Sequence, residues 1–233
     1  MNHVIVVARN NLALTKKAVA SALLQDVPCT VLVVDNASTD GTADWLRGKD
    51  GIHYWVENKQ QSLARCWNVA LKCVWAMGGK HALVINNDVE LRSDCYRVLR
   101  DHGSLFVTAF PVDTKAEMGV PGDCDEKDLH DRPYPVFSCW LIRKEVTDRG
   151  CWFREELYPA YTEDNFFHLA MHHAGIKAIC IDLPFLHHGE ATLKHCDPAE
   201  KSMILRGAQK NREKFKREFG CYPASPEYSA LFR

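Results

Sequence analysis

Short runs of branched apolar residues recur along the first ninety positions, and each ends in polar residues. His3 to Ala8 (HVIVVA), Thr30 to Val34 (TVLVV), Ile52 to Val56 and His81 to Ile85 read as strands. Between them the apolar positions change period. Leu14, Ala18, Ala22 and Leu23 share a helical face within Leu12 to Leu24, as do Leu63, Trp67, Ala70, Leu71, Val74 and Met77 further on. Pro28 ends the first connection. Asp40 stands where it can cap a short helix carrying Trp45 and Leu46, and Gly78-Gly79 stop the later helix. Strand and helix alternate about every 25 residues, which predicts right-handed βαβ crossovers and a parallel sheet.

After Leu91 the rhythm breaks. Leu105 to Phe110 and Val136 to Ile142 read as strands, separated by a long acidic stretch, Asp113 to Pro135, punctuated by Pro and Gly: a loop, and a candidate lid. Asp123, Asp125 and Asp128 lie close together there, but Gly and Glu are missing from the positions an EF-hand needs, so a solvated loop is expected. Glu163 to Ala174 predicts a helix closed by Gly175, and Lys177 to Ile181 a last strand leading to His187-His188. Pro198 to Phe219 predicts a charged amphipathic helix before an irregular tail. The expected fold class is α/β, a Rossmann-like mixed, mostly parallel sheet flanked by helices. One domain is expected: 1–91, which resembles a nucleotide-binding α/β half, 92–197, which supplies loops and a different strand order, and a C-terminal helix and tail over 198–233.

Composition narrows the partners. The 233 residues are 46% hydrophobic, enough for a sizeable core, and 29 basic residues balance 30 acidic ones. No global basic field calls for nucleic acid, although a local patch stays open. Ten scattered cysteines without a CxxC pair point to reduced thiols in a reducing compartment. No apolar stretch reaches transmembrane length and no signal-peptide pattern opens the chain, so a soluble, cytoplasmic protein is expected.

The chemistry gathers at strand ends. Ala82 to Ile85 runs into Asn86-Asn87-Asp88, and ligands of open α/β sheets sit at the carboxyl ends of strands. A carboxylate with neighbouring oxygens suits a divalent cation that shares a phosphate, and an Asx-rich turn is the plainer alternative. Asp35 ends the second strand, where it can accept from a base N–H or ribose hydroxyls. No GxGxxG follows the first strand and no GxxxxGK[ST] occurs, which excludes a dinucleotide-binding or P-loop fingerprint. Arg65 is placed to meet a phosphate but is more simply a surface charge. His168 and His172 are four apart, yet the HExxH glutamate is missing. Trp67 and Trp75 read as core, while Trp140 and Trp152 flank Glu163-Asp164 and are candidates for lining an acceptor pocket.

Val33-Val34-Asp35-Asn36-Ala37-Ser38-Thr39-Asp40-Gly41-Thr42 resembles the early signature of family-2 glycosyltransferases of the GT-A fold. Leu83 to Leu91 is similar to that family's DXD region, with Asn86 in place of the first acid. Glu163-Asp164 resembles its ED motif, and His187-His188-Gly189-Glu190-Ala191-Thr192 its late His-containing segment. Asn211 to Gly220 resembles the segment that often closes these domains. The resemblance implies a transferase moving a sugar from a nucleotide-diphosphate sugar, a UDP-sugar first, to an acceptor hydroxyl with inversion. It implies donor contacts from Ala8, Arg9, Asn11, Asp35, Asn58, Arg65, Asn68, Asn86 and Asn87. Asp88 with His187 or His188 would hold the metal, and a mixed oxygen and nitrogen set favours Mn2+ over Mg2+. Asp164, with Glu163 as alternative, would be the base; by position, Thr162 can cap that helix and leave the acids free to point into the cleft, and the helix N-terminus favours the ionised form. The acceptor is open: glycan, protein, lipid or modified nucleobase. Two departures stand out. Asn58-Lys59-Gln60-Gln61-Ser62 lacks the family's Gly, and the Arg common later in the ED helix falls on Ala170. A nucleotide-sugar-binding protein without activity and a nucleotidyltransferase are the competing readings. Ala8-Arg9-Asn10-Asn11 lacks the Gly-rich basic loop of the second.

Overall fold

The computed structural model describes residues 1–119, 129–132, 135–189, 193–194 and 196–232. Asp123, Asp125, Asp128 and the Glu190-Ala191-Thr192 end of the late His segment lie outside them. The first half follows the predicted alternation: β1 (Asn2–Ala8), α1 (Leu12–Leu23), β2 (Cys29–Asp35), α2 (Thr42–Arg47), β3 (Ile52–Val56), α3 (Leu63–Ala76) and β4 (His81–Asn86). β1 pairs in parallel with β2 on one side and β4 on the other, and β2 pairs in parallel with β3.

The second half adds β5 (Val89–Glu90), α4 (Cys95–Asp101), β6 (Phe106–Val112), β7 (Asp131–Arg132), β8 (Cys139–Arg143), α5 (Lys144–Asp148), α6 (Glu163–His173), β9 (Ala178–His187), α7 (Pro198–Phe219) and α8 (Pro226–Ala230). The sheet order is β3-β2-β1-β4-β8-β6-β9-β5, with β7 on β9. β8 runs antiparallel to both β4 and β6, while β6 and β9 pair in parallel, so the sheet is mixed and mostly parallel as expected, with uninterrupted parallel pairing in its first half. β9 is longer than the apolar run Lys177 to Ile181 suggests. Pro184 sits within it, where the pairing with β6 shifts register, and proline in a strand is tolerated at such an irregularity.

Alternating strand residues feed two cores. Val4, Val6, Val31 and Val33 point to the α1 and α4 side, and Ile5, Val7, Leu32 and Val34 to the α3 and α6 side. On α1 the buried stripe is Thr15, Ala18, Val19 and Ala22, while Leu23 turns outward at 49% exposure. The tail is ordered rather than irregular. Ser225 caps α8 by accepting from Tyr228 N at 3.2 Å, and Tyr228 packs with Phe166 and Phe215 in a third cluster. No helix among the described residues is long and apolar enough to cross a membrane. The described cysteines are all free thiols, as expected.

α7 braces the segment before α6. Asp197 caps it through Ala199 N and Glu200 N (2.8 and 2.9 Å), Pro198 opens it and Gly220, at φ 77°, closes it. Its buried face carries Ile204, Gly207, Asn211 and Phe215. A Cβ on Gly207 would lie 2.3 Å from Pro159 Cδ and 2.7 Å from Tyr158 O, so the glycine is there for close approach. Helix propensity alone predicts that Gly207→Ala stabilises by about 1 kcal/mol. Overpacking costs about 1–3 kcal/mol, so the expected outcome is a lower urea midpoint. A raised midpoint would overturn this account of the contact.

Candidate active site

Register puts three strand ends on one edge. Ala8 pairs with Asp35 and Val7 with Asn86, so the polar residues after β1, β2 and β4 emerge together. Their loops interlock. Asn10 N donates to Ser38 Oγ (2.8 Å), Asn10 Oδ1 accepts from Thr39 N (2.8 Å) and Asp40 Oδ2 accepts from Leu12 N (2.7 Å). Asp40 Oδ1 also accepts from Thr42 N and Thr42 Oγ1, so this one carboxylate serves the starts of both α1 and α2. Asn10, Asn11 and Ala37 have positive φ, a conformation Asn tolerates and Ala resists.

A cleft of about 520 Å³ opens at this edge. Arg9, Asn36, Asn86, Asn87 and Asp88 line it from the sheet, Glu163 and Asp164 from α6, and His187 from the end of β9. Antiparallel β8 starts where β4 ends, so the preceding Val136-Phe137-Ser138 also reaches the cleft, as do Trp67, Tyr161 and Ile204. The late histidines separate. β5 pairs Val89 with His187, which brings His187 Nε2 to 3.4 Å from Asp88 Oδ1. His188 turns the other way and meets Glu90 Oε1 at 2.8 Å. Of the two histidines, His187 is therefore the one placed to share a metal with Asp88.

The Asp88–His187 pair fits a divalent cation. Two neighbouring ligands of an octahedral ion with bonds near 2.1 Å stand about 3 Å apart, close to the observed separation. A cation that keeps waters and shares phosphates needs only one or two protein ligands. The described residues contain no cluster of three or more metal-ligating side chains.

Asp35 is fully buried. Its Oδ1 accepts from Ser38 N at 3.0 Å, while Oδ2 has no partner among the described residues. Asn87 Nδ2 donates to Asn10 O (2.9 Å) and Thr15 Oγ1 (3.0 Å), tying β4 to the β1–α1 turn. Arg9 is held by Glu200 of α7 at 2.8 Å and by the carbonyls of Asn36 and Ala37.

Several expected residues serve the fold rather than the cleft. Asn68 bonds Phe153 N, Phe153 O and Glu155 Oε1 and does not line the cleft. Arg65 is exposed and pairs with Glu155. Asn58 is exposed outside the cleft, Asn11 forms the left-handed N-cap of α1, and the Ala8 carbonyl accepts from Asn36 N. Trp140 is fully buried on β8 against Trp67 and Phe106, and Trp152 lies under Lys72, so neither lines the cleft. His168 stacks on Phe232 and meets Tyr228 OH, a packing role. Trp67, read as core, is core and cleft floor at once. Phe137, Ser138 and Tyr161 carry no signal of their own, because only the antiparallel insertion of β8 and the turn before α6 bring them here.

The acids at the start of α6 differ from expectation. Thr162 makes no side-chain cap; it and Tyr161 take left-handed φ values of 76° and 74°. Two such residues in succession are strained, and α7 fixes them: Asn211 Nδ2 donates to Ala160 O (3.1 Å) and Tyr161 O (3.0 Å). Glu163 is 5% exposed and its Oε2 has no partner among the described residues, while half-buried Asp164 accepts from Asn165 N at 2.8 Å. Burial first, and Asp164's charge second, push the Glu163 carboxyl up to about 8; burial also raises Asp164. The expectation that the helix terminus keeps both ionised is thus reversed for Glu163.

Residues 3–102 match the family model Glycosyl transferase family 2, which bears out the family resemblance over the stretch that carries Asp35 and Asn86-Asn87-Asp88. No curated protein matches the chain. Among solved structures, S. aureus TarS aligns with a TM-score of 0.62 at 18% identity over 99% of this chain and 47% of its own. This chain therefore spans about half of that protein. Mannosyltransferase PcManGT from Pyrobaculum calidifontis, in complex with GDP-Man and Mn2+, aligns at 0.63 and 17% identity over 99% of this chain and 67% of its own. S. aureus TarS 1-349 in complex with UDP aligns at 0.57 and 19% identity over 94% of this chain and 73% of its own. Identities this low show the fold: this chain has the GT-A fold.

A raised carboxyl pKa carries a pH signature. A group that holds its proton more tightly folded than unfolded stabilises below its unfolded value and loses that contribution as pH rises through the folded one. For Glu163 the window runs from the ordinary 4.5 up to about 8. Wild-type stability, referred to Glu163→Gln, is expected to fall across that window in urea titrations. A flat difference would refute the protonated carboxyl.

Proposed function

We propose that this chain, which carries the family-2 glycosyltransferase signature on a GT-A fold, transfers a sugar from a nucleotide-diphosphate donor to an acceptor hydroxyl with inversion. The observation that carries the reading is one cleft holding an acid–histidine pair, Asp88 and His187, opposite an acid pair, Glu163 and Asp164. Similar folds have been solved with UDP and with GDP-Man and Mn2+. Transfer needs the diphosphate leaving group stabilised and the acceptor proton removed. Asp88 and His187 would hold Mn2+ or Mg2+, which when bound supplies Lewis-acid stabilisation of the leaving diphosphate.

Other residues bind and orient. The open Oδ2 of Asp35 supports a contact to the base or ribose of a UDP-type donor, since a buried acceptor without a partner is costly. Asn86 lines the cleft beside the pair, and Arg9, which follows β1 and is already paired with Glu200, borders the donor side. Asp164, the less buried of the two acids, takes the acceptor proton as the hydroxyl attacks. Glu163 keeps its own proton at neutral pH and donates a hydrogen bond to substrate oxygen. A single displacement with one base inverts the anomeric carbon.

Two measurements test this. In a thermal-shift screen, UDP or GDP with Mn2+ should raise the melting temperature of the wild type, because a ligand of the native state stabilises it. The shift should vanish with EDTA and in Asp88→Ala; a shift that survives both removes the metal from the reading. Asp164→Asn should keep donor binding and melting temperature while turnover falls about 10²–10⁴-fold. Full activity in Asp164→Asn and in Glu163→Gln would end the transferase mechanism.

A further inference from the structure

α7 has a second face that the cleft does not use. Pro198–Phe219 carries seven Lys or Arg against three Glu, leaving the rest of the chain with 22 basic and 27 acidic residues. All three glutamates are engaged: Glu200 with Arg9, Glu213 with Gln209 and Tyr222, and Glu218 with Arg154. Of the cations, Lys214 pairs with Glu156, while Arg212 and Lys216 lie over the Tyr222 ring. Arg206, Lys210 and Arg217 are exposed, and no described acid engages them. At 3.6 residues per turn these three fall within about 40° of one another, a stripe about 16 Å long.

The stripe borders the way into the cleft. Met203, next around the helix from it, accepts from Tyr158 OH at 3.7 Å. Tyr158 and Tyr161 are each 42% exposed and belong to the loop that leads into Glu163-Asp164. Aromatic rings at a rim offer flat faces to sugar rings, and the stripe offers fixed positive charge beside them.

We propose that Arg206, Lys210 and Arg217, with Tyr158 and Tyr161, form a docking surface for an anionic polysaccharide acceptor whose hydroxyl-bearing end enters the cleft. Charge complementarity argues for the anion, and the adjoining tyrosines for a sugar chain. A membrane surface fits less well, because Leu205 is the one large apolar side chain exposed on this face among the described residues and an interfacial helix needs an apolar face. The proposal rests on the transferase reading only for what enters the cleft.

Binding is tested without donor, by fluorescence anisotropy of labelled oligogalacturonate and labelled dextran sulfate, with neutral dextran, duplex DNA and phosphatidylglycerol vesicles alongside. Donor binding is followed separately by the UDP and Mn2+ thermal shift, so the two readings fail independently. Both acidic glycans should bind, weaken with salt, and exceed dextran, DNA and vesicles. Arg206→Gln/Lys210→Gln/Arg217→Gln should weaken them about tenfold, the worth of a few exposed ion pairs, with the melting temperature and the UDP shift unchanged. The charge-preserving Arg206→Lys/Lys210→Arg/Arg217→Lys variant should bind as wild type. Absent glycan binding, glycan binding untouched by the Gln variant, or tighter binding of DNA or vesicles would each overturn the proposal.

Discussion

The cleft depends on the parallel register of β2, β1 and β4. Because Ala8 lies level with Asp35 and Val7 with Asn86, three buried strands deliver their polar ends to one edge within about 10 Å. A one-residue slip would reverse every side chain between the two cores, and both faces of these strands are apolar and buried. The register is thus enforced along the whole strand by packing, not at the site by the site residues. The interlocked loops then fix what the strands deliver. Asp40 serves two helix starts, and Asn10 pins the loop after β2, so Asp35, Asn36 and Arg9 need no ligand to be positioned.

The opposite wall is held by a different device. Tyr161 and Thr162 carry left-handed backbone that neither residue prefers, and α7 supplies the compensation through Asn211 and the close seat of Gly207 on Pro159. The C-terminal helix therefore acts on the site twice. It sets the direction in which α6 begins, hence where Glu163 and Asp164 point, and its Glu200 balances Arg9 across the cleft. A segment that contributes Ile204 alone to the cleft lining governs both walls.

The fold's first half was legible because its period switches cleanly between buried runs and helical spacing. Asn86, Asn87 and Asp88 were legible because they are polar where a buried strand ends, while Glu163, Asp164 and His187 stood out through the family resemblance. What stayed hidden was hidden for physical reasons. β9 is broken by Pro184 at a register shift, so its reach to His187 left no continuous apolar run. The direction of β8 is a tertiary choice that no local pattern encodes, and with it went Phe137 and Ser138. Asn68 and Trp140 misled in the opposite sense. An amide and an indole near functional sequence look like ligand contacts, yet one ties α3 to the Phe153 backbone and the other fills the core.

The acid pair shows how magnitudes decide between two correct principles. The helix terminus favours carboxylates by about 0.3–1 kcal/mol, which is less than the 1.36 kcal/mol that one pKa step represents. Burial of Glu163, with Asp164's charge beside it, moves its pKa from 4.5 to about 8, several such steps, so the dipole loses. Two adjoining carboxyls, one of them buried, cannot both ionise cheaply. Glu163, the more buried of the two, holds its proton the more tightly. Under the proposed transfer that inequality would leave one residue to donate and one to accept in the same small space, and it follows from their unequal burial rather than from their order in the chain.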